Sequence, residues 1–97
     1  MIINGALIIY VVVNNWATKD GHGVETYAFS RVSKAIDKMM ELIDTVCKNQ
    51  FAQAINEDEK LVDGYCINKS ECCWEIWKDG CYDSSHAKIE IRELEVM

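Results

Sequence analysis

The chain opens on a run of large apolar residues, Leu7, Ile8, Ile9, Tyr10, Val11, Val12, Val13 and Trp16. Strand side chains alternate between two faces, so a run apolar at both parities predicts a strand over residues 6–17 buried on both sides. A central strand of a sheet has that environment. Segment 18–23 holds Asp20-Gly21 and Gly23, which offer positive φ and predict a hairpin loop. Residues 24–29 alternate and predict the returning strand. After Ser30 and Ser33, either of which can cap a helix, the period lengthens. Val32, Ala35, Ile36, Met39, Ile43, Val46, Cys47 and Phe51 recur at spacings of three and four. Lys34, Asp37, Lys38, Glu41, Asp44 and Lys48 lie mostly opposite, as on an amphipathic helix. Neither Gly nor Pro interrupts 31–56, so one long helix is predicted to about Ile55, with a weak point at Asn49-Gln50.

Residues 57–60 read as a charged exit loop. Leu61 to Ile67 is predicted as a third strand, weakened by Asp63-Gly64, and residues 72–78 as a fourth. Asp79-Gly80 marks a turn, and the loop runs to about Ser85. Residues 87–92 alternate cleanly: Ala87, Ile89 and Ile91 point inward, and Lys88, Glu90 and Arg92 face solvent. Leu94 and Val96 then fall on the polar parity, which predicts a bulge or a tail packed on a neighbour. The order is ββαβββ, and short links favour antiparallel pairing. The expected fold is α+β: an antiparallel sheet of four to five strands with one long helix packed on one face. If Trp74 and Ile76 face the helix, Cys73, Glu75 and Trp77 face away.

The 97 residues suit a single α+β domain over 1–97. The net charge of −6 is unevenly spread. Residues 1–56 hold five bases and five acids, and residues 57–97 hold five bases and eleven acids, so the excess lies in the second part. Negative potential repels phosphate backbones, which argues against direct nucleic-acid binding and for a basic protein partner. Acidity also serves solubility. The apolar run from Ala6 to Val13 is too short to cross a bilayer, which takes about 20 residues. It has no basic flank or cleavage signature, so neither a membrane span nor a signal peptide is expected. An odd count of five cysteines then points to free thiols in a reducing, cytoplasmic setting.

Candidate chemistry is thin. Cys66, Cys72, Cys73 and Cys81, with His22 or His86, could serve zinc, but no Cys-x-x-Cys pair exists and Cys72 and Cys73 are adjacent. Cys81, Asp83 and His86 place a thiol near an imidazole, yet nucleophile and base normally come from separate elements. Carboxylates at Glu71 and Glu75, Asp79 and Asp83, and Glu57 to Glu59 lack a cleft to set their pKa values apart. Phosphate-loop and dinucleotide glycine fingerprints are absent. No cofactor or metal is expected.

Ile9-Tyr10-Val11-Val12 with Trp16, Phe29-Ser30 at the helix start, Trp74, Asp79-Gly80, Tyr82, His86 and Ile89-x-Ile91 together make a pattern over most of the chain. By that pattern the chain resembles a loosely defined group of small proteins of phages, prophages and other mobile elements of gut Firmicutes and their relatives. The resemblance runs through structural residues and carries no activity; the cysteines at 66–81 are not part of it. Small acidic phage proteins often act by occupying a host protein, and anti-CRISPR proteins, whose carboxylates stand in for phosphates, are similar in size and charge. The function expected is therefore a non-enzymatic binding protein that inhibits a host protein such as a defence component. Glu71, Glu75, Asp79, Asp83 and Glu90 would face a basic partner, with Trp77 and Tyr82 as anchors. The alternatives are a homodimeric small-molecule sponge or sensor, and an enzyme using His86 with a cysteine.

Overall fold

The computed structural model describes residues 7–54, 60–82 and 85–96. Its elements follow the expected order: β1 (Leu7–Thr18), β2 (Gly21–Phe29), α1 (Val32–Lys48), β3 (Tyr65–Lys69), β4 (Cys73–Lys78) and β5 (His86–Val96). All pairings are antiparallel, and the strands lie side by side as β2-β1-β5-β4-β3. The fold is thus α+β, one five-stranded sheet with one helix among the described residues. The chain's early and late strands, β1 and β5, meet at its centre, paired from Leu7 with Val96 to Ala17 with His86.

The alternation of each strand sorts its side chains onto a helix side and an open side. On the helix side stand Val12 of β1, Trp74 and Ile76 of β4, and Ala87 and Ile89 of β5, all buried. Register confirms the common face: Trp74 lies opposite Ile89, Ile76 opposite Ala87, and Val12 opposite Ile91. Ala35, Met39, Leu42 and Val46 of α1 close over them, and α1 packs chiefly on β5, β1 and β2. Phe51 and Ala54, in the turns after the helix, complete the core, with Phe51 edge-on to Tyr65 at 6.1 Å. Asn14 is the one buried polar residue among those described, and its Oδ1 has no hydrogen-bond partner.

Several expectations are corrected. The first hairpin is tight: Thr18 pairs with Gly21, leaving only Lys19 and Asp20 in the turn, so β2 starts at Gly21 and not at residue 24. Gly21 has φ 148°, whereas Gly23 is not in the positive region. A Cβ on Gly23 would come within 2.5 Å of Trp16 Cζ2, so this glycine makes room for the indole opposite it. Neither Ser30 nor Ser33 caps the helix; the N-cap is Arg31, with no side-chain bond to the first turn. The helix ends at Lys48, at the expected weak point rather than near Ile55, and Asn49 N–H closes it on Thr45 O. Leu42, missing from the expected stripe, is buried, while Val32 and Ile36 are about half exposed. The third strand begins at Tyr65, because Gly64 turns the chain at φ 94° and its carbonyl accepts Asp79 N–H at 2.8 Å. No bulge interrupts β5, whose pairing with β1 runs unbroken past Leu94, opposite Ile9. The exit loop and the carboxylates from Glu57 to Glu59 lie outside the described residues, apart from Lys60.

Candidate protein-binding site

The open side of the sheet carries Cys73, Glu75 and Trp77 of β4, as the alternation predicts once Trp74 and Ile76 are buried. Trp77 stands between Cys66 of β3 and His86 of β5. The turn after β4 sends Tyr82 back over this end of the face. Cys81 N–H bonds Lys78 O at 2.9 Å and Ser85 N–H bonds Cys81 O at 2.8 Å, which tightens the connection. The Tyr82 ring stacks on His86, 4.5 Å between centroids and 3° from parallel, and meets Trp77 edge-on at 5.8 Å. Its hydroxyl donates to Glu75 Oε2 at 3.0 Å. His86 Nδ1 lies 2.7 Å from Tyr82 O, and since a carbonyl only accepts, Nδ1 carries the proton and donates. Three rings from three segments thus meet at Tyr82, whose hydroxyl reaches one carboxylate, on the side of the sheet away from α1.

Gln50 secures the strands beneath this cluster. Its Nε2 donates to Ala17 O at 2.9 Å and to His86 O at 3.0 Å, tying the ends of β1 and β5 to the turn after α1. Sequence reasoning marked Asn49-Gln50 only as a weak point. The signal for more was a polar amide next to the buried Phe51, in a turn that must pack against strand ends. In the sequence His86 offers a zinc ligand or a partner for a thiol; no local pattern announces its stacking on Tyr82.

The remaining expected residues are dispersed. Glu90 shares the open face but accepts Arg92 Nε at 3.0 Å and Nη2 at 2.6 Å, and Glu75 has Lys88 as its cross-strand neighbour. This face therefore carries both signs of charge. Asp79 lies in the turn after β4, where its N–H bonds Gly64 O. Glu71 sits in the β3–β4 turn and lines hollows on the helix side, away from Glu75. Asp83 lies outside the described residues, and with it the proposed Cys81–Asp83–His86 grouping. Cys81 lines a separate hollow with Lys19, Lys78 and Gln50. Among the described residues no three His, Cys, Asp or Glu side chains gather as a metal site, and all five cysteines are free thiols. Burial pushes the Cys47 thiol up, helped by Asp44, and burial likewise raises Cys73 against the pull of Lys88. No helix among the described residues is long and apolar enough to cross a membrane. Comparisons of the chain with protein-family models, with curated proteins and with solved structures find no match.

Proposed function

We propose that the protein is a non-enzymatic binding protein that holds a basic segment of a partner protein against the open face of its sheet. The observation that carries this reading is the cluster centred on Tyr82, which stacks on His86, meets Trp77 edge-on and donates its hydroxyl to the Glu75 carboxylate. Indole and phenol rings attract a cation at their faces, and a carboxylate alongside supplies the counter-charge. A guanidinium or ammonium group suits both. Gln50 ties down the backbone at the ends of β1 and β5, and the Tyr82–His86 contacts hold those two rings together, so less ordering is left to be done on binding. The resemblance to small phage and mobile-element proteins, with the acidic second half of the chain, favours a host nucleic-acid-binding protein as the owner of that segment. In this reading Glu75, with Asp79 in the turn that follows β4, takes the place of phosphates in its basic groove.

The test is a panel of immobilised peptides containing Arg and Lys, probed with the full chain over a range of salt. Binding is expected to weaken as salt rises and to fall at least about tenfold in Trp77→Ala. Glu75→Lys should abolish it. Binding that survives charge reversal at Glu75 and Asp79, and that ignores salt, would sink the reading.

A further inference from the structure

The apolar arc of α1 is wider than the part that the sheet covers. At about 3.6 residues per turn, the buried Ala35, Met39, Leu42 and Val46 span only about 60° of the helix surface. Val32, Ile36, Met40, Ile43 and Cys47 fill the next about 80°, turned sideways within the helix layer. Val32, Ile36 and Met40 are 46%, 45% and 61% exposed. They fall at i, i+4 and i+8, the row that one helix offers to another.

The layer has room for a second helix. Five strands span about 20 Å and one helix covers about 10 Å. The helix α1 occupies the β2-β1-β5 side. At one end Phe51 and Ala54 help fill the remainder. At the other end two adjoining hollows of 220 and 310 Å³ lie between Ile36 and Glu71. Tyr10 and Ile91 line one and Trp74 lines the other.

The charges around this trough are mostly of one sign. Glu71 and Glu93 line it, Glu95 follows on the same side of β5, and Asp37 and Asp44 come next round the outer flank of α1. Of these, only Asp44 is in an ion pair among the described residues, with Lys48 at 2.9 Å. Lys69 is the cation in the lining. A second copy presenting the same helix would bring like charges together, which disfavours it.

We propose that this trough is a docking site for an amphipathic α-helix of another protein, apolar along one seam and lysine- or arginine-rich on its flanks. The seam lies against Val32, Ile36 and Met40, and the flanks meet Glu71 and Glu93 on one side and Asp37 on the other. The site is on the opposite side of the sheet from the ring cluster and does not depend on it.

Two synthetic peptides of about 18 residues, long enough to form a helix, test the proposal. Both carry leucines at helical spacing; one has lysines on its flanks and the other glutamates. Each is titrated with the full chain and followed by fluorescence anisotropy. The lysine peptide should saturate, more weakly as salt rises, and the glutamate peptide should bind at least about tenfold less tightly. Met40→Glu, at an exposed position, should weaken the lysine peptide at least about tenfold with circular dichroism unchanged. Glu71→Lys, in an exposed turn, gives a second variant with the same expected direction. Equal binding of both peptides, or binding indifferent to both variants, overturns the proposal. So does a concentration-dependent dimer that Met40→Glu dissolves, which makes a second copy the occupant. Weakening by Trp77→Ala in place of Met40→Glu would move the peptide to the open face.

Discussion

Asn14 is buried between the sheet and the helix layer with an oxygen that bonds to nothing. Burying a polar atom without a partner costs about 1–3 kcal/mol, and a β-branched apolar side chain suits a central strand. Asn14→Val is therefore expected to raise stability by about 1 kcal/mol, read as a higher urea midpoint at unchanged slope. A lower midpoint would show that the amide is needed. The thiols give a pH prediction. Cys47 and Cys73 are raised above their usual value of 9.0, so the fold favours the neutral thiol. That contribution is whole below the unfolded pKa and is lost as pH rises through the folded one. Stability should thus fall as pH rises above the usual thiol value of 9.0, and less steeply in Cys47→Ala. Alkylation read by mass spectrometry should reach the exposed Cys72 and Cys81 before Cys47 and Cys73. Gly23 shows how residue roles hid from the sequence. Its vacancy beneath Trp16 follows by counting from the turn, but only if the turn is two residues long, and the glycines suggested six.

The helix was legible in the period of its apolar positions, and its break at Asn49 in the polar pair there. The covered part of its arc was not, because periodicity describes a helix alone and not where it lands on a sheet. That is why Val32 and Ile36 read as core and are half outside, while Leu42 is inside. The N-terminus of α1 is similarly decided by context. Arg31 has the extended backbone of an N-cap, φ −125° and ψ 133°, without an oxygen to offer, and the first turn holds no acid. Arg31→Asp supplies both and is expected to stabilise by about 1 kcal/mol, measured as a shift in thermal midpoint. No gain would mean that the arginine does other work at this position. Of the candidate site, alternation along β4 placed Glu75 and Trp77 on one face. Tyr82 and His86 joined them through a loop closure that no local pattern encodes.

At the scale of the molecule, the pairing of β1 with β5 governs the rest. Both parities of β1 are apolar, and its middle is buried on both faces, Val12 on the helix side and Val13 on the other, while β2 and β5 pair its two edges. Without β5 the sheet splits into two hairpins, neither of which buries enough surface to persist alone. A chain ended at Lys78 should therefore show no cooperative thermal transition by circular dichroism, while the full chain unfolds in one step. A cooperative transition in the shortened chain would show that β2, β1 and α1 hold together unaided. The same pairing dictates the timing of birth on the ribosome. The first strand emerges with one edge unsatisfied, and its mate follows only after β2, α1, β3 and β4. Until then that edge is an open template for other strands, and docking of β5 closes it.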